Sequence, residues 1–415
     1  MKKILKNYKS TLILLLAIII GAIVGIIFKE DAKVLSPLGD IFINLLLVVI
    51  VPLVFLTITT SIAKMSTPKR LGKIMITTIV AFLVTSIVAV IVGFITTYNI
   101  DLVKPEDTAK ITSTLVNEEM KNEDLSILER TADVLTVKSF NDLLTTDNLI
   151  ALLVFSILFG IGTLMAAESG KSIAKFVQSG SAVMMKVINI IMMAAPIGLG
   201  CYFANVIGEL GSQLLSGYLR VTILYLILTA VIYFGLFTLY AFIAGGKDGI
   251  KAFWSNAVSP TVTSLATCSS AASIPVNLDA TKKMGVPEDI AETVIPLGAN
   301  VHKDGSVVTG VLKIAFLLGL LGTNMNTIPM MLAILGVAFI NGAVMGAIPG
   351  GGFMSEMLIV SAFGIDPALL PIIVVIGTIL DAPATLLNST ENTVCAMLVA
   401  RLVEGKDWLK NKINN

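Results

Sequence analysis

Charge is scarce in this chain. Asp, Glu, Lys and Arg make up 14% of its 415 residues, hydrophobic residues make up 55%, and the formal net charge is +1. So few charges exclude a soluble domain of this length, and no nucleic-acid partner is expected at a net charge near zero. Histidine occurs once, at His302, which removes most histidine-based catalytic and metal constellations. Cys201, Cys268 and Cys395 lie in apolar surroundings without CxxC spacing, so neither a disulfide nor a structural zinc site is expected. No GxSxG or HExxH occurs. His302-Lys303-Asp304 shares its letters with a phospholipase signature, but that chemistry needs the three residues spaced apart. An enzyme is therefore not expected, nor is a cofactor.

What is present is a series of apolar runs, each about as long as the roughly 20 residues a bilayer core requires. Ser10–Phe28, Ile74–Thr97, Leu149–Ala167, Val183–Ile207 and Val221–Gly245 all qualify. The reading is an all-α polytopic membrane protein. Met1–Lys9 followed by an apolar run resembles a signal peptide but lacks a small-residue cleavage site, and reads as a retained first helix. Positive charge marks the inner side: Lys2, Lys3, Lys6 and Lys9; Lys64, Lys69, Arg70 and Lys73; Lys171, Lys175 and Lys186; Lys247 and Lys251; Lys406, Lys410 and Lys412. Both termini are thus expected in the cytoplasm, with the acidic segment Asn99–Asn148 outside as an inserted loop.

Against this apolar background one stretch stands out, Pro296–Ser306, reading PLGANVHKDGS. Ionisable groups within a membrane are costly and by default functional, and Gly305 beside them can break a helix to expose binding groups. A short polar loop in water is the bland alternative. Two Gly/Ser/Pro-interrupted tracts, Ser259–Pro275 and Asn341–Ser355, each precede a polar-bearing helix, as broken helices at a transporter midplane do; close helix packing would also use small residues. In the last helix Asp381, Thr385, Asn388 and Asn392 fall at i, i+4, i+7 and i+11, on one stripe. A carboxylate for an ammonium, with a hydroxyl and amides for a carboxylate, suits an α-amino acid zwitterion. An ion channel is the rival class. It would need rings of charges or carbonyls, which this convergent stripe does not resemble.

With these stretches PLGDIFINLLLVVIVPLVF (37–55), APIGLG (195–200), SSAASIPVN (269–277), PLGANVHKDGS (296–306) and LDAPATLLNSTEN (380–392), the chain resembles the dicarboxylate/amino acid:cation symporters, the glutamate-transporter family, over essentially its whole length. The resemblance implies a homotrimer in lipid at the bacterial inner membrane. Each protomer would have eight transmembrane helices and two re-entrant hairpins, built as inverted repeats and working as an elevator. It implies scaffold helices at 1–73 and 149–220, transport-domain helices at 74–98 and 221–248, and a transport core at 249–403. The external loop 99–148 and a cytoplasmic tail 404–415 complete the division. The first hairpin is expected at Gly249–Lys283 with its tip at Ser269-Ser270, and the second at Ile328–Gly364 with its tip at Ala347–Gly352.

Carried over residue by residue, the resemblance implies that Asp381 holds the substrate amino group, with Thr385 beside it and Asn388 on the substrate carboxylate. Ser269 and Ser270 would contribute from the first hairpin tip, and the backbone of Ile348–Gly350, including Gly350, from the second. The arginines of acidic-substrate members are replaced by Ala384 and Cys268, so a neutral amino acid is the expected small-molecule substrate. The sodium-binding Asn-Met-Asp-Gly-Thr motif reads His302-Lys303-Asp304-Gly305-Ser306. A ligating aspartate is Asn392, and the tyrosine before Thr85 and Ser86 is Phe82. A lysine ammonium there would supply positive charge internally. The expected driver is a proton gradient acting through His302, Lys303, Asp304 and Glu356, with sodium coupling the alternative. Were sodium bound, Asp304 and Asn388 would be its ligands. A structural salt bridge from Lys303 to Asp304 or Glu356 is the bland reading of that lysine.

Overall fold

The computed structural model describes residues 9–63, 69–98, 100, 102–103, 136–145, 148–210, 213–344 and 351–409, and every regular element among them is helical. In order these are α1 (Lys9–Phe28), a short 3-10 stretch (Lys29–Leu35), α2 (Ser36–Ala63), α3 (Lys69–Tyr98), α4 (Leu149–Met165), α5 (Ala167–Met193) and α6 (Ala195–Leu210). Then come α7 (Gln213–Ala230), continued through a π-helical stretch (Val231–Leu236) into α8 (Phe237–Asn256), α9 (Val258–Thr267), α10 (Ser270–Lys283), α11 (Glu288–Val301), α12 (Asp304–Leu320), α13 (Ile328–Val344), α14 (Gly351–Ala362) and α15 (Leu370–Glu404). Three described stretches, Gly72–Tyr98, Leu215–Asn256 and Pro367–Glu404, are long and apolar enough to cross a bilayer.

The faces of these helices show which solvent they meet. On α3, Ile76, Val80, Leu83, Val84, Ile87, Ile91 and Ile95 are exposed, while Thr78, Phe82, Thr85, Ser86, Ala89 and Val90 are buried. A helix that hides hydroxyls and presents isoleucines outward has hydrocarbon outside it. Helices α1, α2, α4, α5 and α6 pack mainly on one another. Around α15 pack α3, α7, α8, α9, α10, α11, α12 and α14, so the last helix is the axis of the second group.

Local chemistry explains the boundaries. The run expected as one span at Val183–Ile207 is interrupted between α5 and α6, where Pro196 supplies no N–H and sits in the first turn of a new helix. The span expected to reach Ala167 stops at Met165, because Ala167 takes a left-handed backbone with φ 49°. Gly245 and Gly246 leave helical geometry inside α8, Gly246 at φ 62°, and the chain turns back there into the first hairpin, formed by α9 and α10. Its turn lies at Cys268, left-handed at φ 46°, and the extended Ser269, one residue before the expected Ser269-Ser270, because Ser270 already belongs to α10. The second hairpin pairs α13 with α14. The tip expected at Ala347–Gly352 lies outside the described residues as far as Gly350, including Ile348, while Gly351 and Gly352 already belong to α14. Most of the 99–148 loop and the lysines at positions 2, 3, 6, 64, 410 and 412 also lie outside the described residues.

Candidate functional site

The PLGANVHKDGS stretch forms two helices with a break between them. Helix α11 ends at Val301, His302 (φ −125°, ψ 105°) and Lys303 (φ −142°, ψ 70°) are non-helical, and α12 starts at Asp304. Glycine makes the close approach to α15 possible. A Cβ on Gly305 would lie 2.6 Å from the Ala384 carbonyl oxygen, and one on Gly298 would lie 2.1 Å from Asn392 Oδ1. Backbone carbonyls near the break are engaged: Gly305 O accepts from the Tyr225 hydroxyl at 2.9 Å, and Ser306 O from Asn341 Nδ2 at 3.1 Å.

On the α3 side the break carries a fully buried acid–imidazole cluster. His302 Nδ1 lies 2.9 Å from Asn392 Oδ1, whose own Nδ2 donates to the Asn388 carbonyl at 2.8 Å. Since that amide oxygen can only accept, Nδ1 carries a proton, and Nε2 faces Thr85 Oγ1 at 2.7 Å and Asp304 Oδ2 at 3.3 Å. The Ser86 hydroxyl donates to Asp304 Oδ1. Asp304 is also within hydrogen-bonding reach of Glu391, another fully buried carboxyl. Asp304 Oδ2 and Glu391 Oε2 each lack a conventional donor. Two acceptor oxygens left bare on neighbouring buried carboxyls call for a shared proton or a cation.

Toward the first hairpin tip the break carries a second, larger charge cluster. Lys303 Nζ donates to Ser270 Oγ at 3.4 Å and its ammonium is set against Asp381. Asp381 is partly open, and Thr385 Oγ1 donates to its Oδ1 at 3.5 Å. The bland reading of Lys303 is thereby corrected. Glu356 pairs with Lys313, at 2.7 Å and with side chains 4% and 2% exposed, because α14 lays Glu356 over α12 at Lys313, beyond the reach of the break. Both members of that pair also act electrostatically on Asp381. Lys303, Lys313, Asp381 and Glu356 are thus two lysines and two acids whose charges sum to zero. The Cys268 thiol, at the first hairpin turn, also lies within the electrostatic reach of Asp381.

The helical stripe on α15 is divided in its work. Asp381 and Thr385 contact each other, Asn388 is engaged by Ser306 through its Oδ1 (3.0 Å from the Ser306 N–H) and Nδ2 (2.8 Å to Ser306 Oγ), and Asn392 holds His302. Of Asn388's hydrogen-bonding groups one N–H is left for a ligand. Ser269 caps α10 by accepting from the Ala272 N–H at 3.2 Å. Ala384 is buried against the α12 start, which Gly305 approaches through the Ala384 carbonyl. The structure brings the expected residues Thr85, Ser86, His302, Asp304 and Asn392 into contact, and adds Glu391 and Lys313, which were not among the site residues expected from the sequence. Glu391 stood inside a quoted motif, and a carboxyl in a span-length apolar helix was itself the signal.

Residues 11–402 match the model of the sodium:dicarboxylate symporter family. The chain is 27% identical over 399 residues to the proton/sodium-glutamate symport protein of Bacillus caldotenax, covering 93% of this chain and 92% of that one. It is 27% identical over 415 residues to the C4-dicarboxylate transport protein of Bacillus subtilis, covering 96% and 94%. It is 25% identical to the proton/glutamate-aspartate symporter of Bacillus subtilis, covering 95% and 96%. These relatives are transporters and not enzymes. With a family match spanning nearly every residue and broken apolar helices carrying buried charge, the chain belongs to the sodium:dicarboxylate symporter family.

Proposed function

We propose that this secondary transporter carries a neutral amino acid and is driven by protons. One observation carries the reading: around the broken segment the protein supplies its own positive charge. Lys303 and Lys313 balance Asp381 and Glu356, and a proton bridging Asp304 and Glu391 beside His302 satisfies both bare oxygens. A zwitterion enters such a pocket without changing its net charge, whereas a dicarboxylate adds negative charge. Cys268 and Ala384 offer no guanidinium to receive it. Asp381 takes the amino group, while Thr385, Asn388, Ser269, Ser270 and the tip at Ile348 and Gly350 take the rest.

Proton coupling runs through His302, Asp304 and Glu391, with Thr85, Ser86 and Asn392 orienting them. Sodium is the second reading, because the same two bare carboxyl oxygens could receive a metal ion. Engagement of the Gly305 and Ser306 carbonyls by Tyr225 and Asn341 leaves fewer oxygens for one. Extending the packing, α1, α2 and α4–α6 act as a scaffold and the helices around α15 as a moving transport domain. This is an elevator within a homotrimer at the inner membrane, with both termini cytoplasmic. Uptake of labelled neutral amino acids and of succinate into proteoliposomes, with proton and sodium gradients imposed separately, tests the reading. Proton-driven, sodium-indifferent uptake of a neutral amino acid is expected. A sodium requirement overturns the coupling, and succinate uptake overturns the substrate class.

A further inference from the structure

We infer that Lys303 belongs to the substrate pocket, as the cation that receives the substrate's α-carboxylate; this rests on the amino-acid reading above. Lys303 is 6% exposed, donates to Ser270 Oγ at 3.4 Å, and Asp381 is the acid that acts on it electrostatically. Lys313 is held separately by Glu356 at 2.7 Å. When a substrate ammonium takes Asp381, the field of that acid is neutralised, and a buried ammonium held only by a hydroxyl is costly. The anion that enters with that ammonium is the substrate's own carboxylate. Ser270, already joined to Lys303, opens α10 beside the pocket, so an ammonium and a hydroxyl meet where the carboxylate must sit.

The empty and loaded pockets are then both balanced. Without substrate, Lys303 and Asp381 offset one another's charge at a distance. With substrate there are two pairs, ammonium with Asp381 and carboxylate with Lys303. An amine lacking a carboxylate would put two cations on one acid, and a carboxamide would leave Lys303 without an anion. Lys303 is therefore a specificity-determining residue for a free carboxylate as well as a neighbour of the coupling cluster.

The test uses full-length wild-type protein and the Lys303→Met and Lys303→Arg variants in proteoliposomes. L-alanine, L-serine, L-threonine, L-leucine and L-methionine, each as free acid and as carboxamide, compete against the best-transported labelled acid of that set in wild-type counterflow. Wild type should prefer acid over amide by about 10- to 100-fold, the value of one charge-assisted hydrogen bond. In Lys303→Met that ratio should collapse toward one, because the acid loses its cation while the amide no longer strands an ammonium; Lys303→Arg should keep it. A ratio preserved in Lys303→Met overturns the inference, as does an equal loss for acid and amide, which marks a structural role. If Lys303→Met does not fold, a Lys303→Arg protein and a Lys303→Gln protein with equal acid-to-amide ratios overturn it instead. A wild type that takes up none of the amino acids, but takes succinate, overturns the amino-acid reading and this inference together.

Discussion

The ring of Phe82 lies flat against the imidazole of His302, with centroids 4.0 Å apart and planes 3° from parallel. Stacking fixes the imidazole plane, so that Nε2 points to Thr85 and Asp304 while Nδ1 points to Asn392. Phe82 is itself buried and adds no hydroxyl to this corner. Phe82→Ala should cost about 3 kcal/mol, as for other buried aromatic truncations, and should weaken proton-driven uptake more than counterflow exchange. Thermal unfolding in detergent and the two transport assays measure this.

Glu391→Gln keeps the size of the side chain and removes the acid that faces Asp304. Wild-type uptake should rise as the outside is acidified, since protons enter with substrate. The variant should lose that response and retain exchange. An unaltered response to the imposed proton gradient would place the coupling proton elsewhere.

The Lys313–Glu356 pair is buried and joins α12 to α14. Removing one partner, as in Lys313→Met, should cost about 3–5 kcal/mol, because an acid is left without a counter-charge in a dry interior. Lys313→Met combined with Glu356→Leu should recover most of the loss. Melting temperatures of the purified single and double variants give the coupling between the two residues.

Gly305→Ala should separate the start of α12 from α15, since its methyl would lie 2.6 Å from the Ala384 carbonyl oxygen and 2.9 Å from Leu387 Cβ. Substrate binding and stability should both fall, seen as loss of uptake together with a lower melting temperature. A wild-type-like protein would show that the two helices can part without consequence.

Asp381→Ala should abolish amino-acid uptake, as the carboxylate that receives the ammonium is gone. Ala384→Arg should shift competition toward aspartate and glutamate by placing a guanidinium on the last helix. Competition assays against labelled neutral substrate read both variants, and an Ala384→Arg protein with unchanged preference would show that position 384 does not face the substrate side chain.

Much of the site could be read from the sequence because intramembrane charge is expensive and therefore informative. The break beside Gly305 was expected from residue types, whereas the meeting of α3 with that break was expected only from the family resemblance. The stripe on α15 was legible as a stripe but not as a division of labour. Spacing puts Asp381, Thr385, Asn388 and Asn392 on one face, yet only the folded chain shows that Ser306 engages Asn388 and that His302 takes Asn392. The partner of Glu356 was illegible for the same reason. Lys303 and Lys313 are ten residues apart on neighbouring elements, and the choice between them depends on where α14 crosses α12. Pro196 and Ala167 displaced two helix boundaries that apolar run length alone had set.

The ion pair between Lys313 and Glu356 also bears on how the protein is made. Helix α12, 17 residues long, and helix α14, 12 residues long, each carry one of the two charges at mid-length. A lone lysine at the centre of a helix entering the membrane costs about 2.5–3.5 kcal/mol during insertion. Presented as separate segments leaving the ribosome, neither has a partner to offset that cost. That cost is relieved once α14 has emerged and lays Glu356 over Lys313, so the final burial of α12 is coupled to the arrival of a segment made about forty residues later.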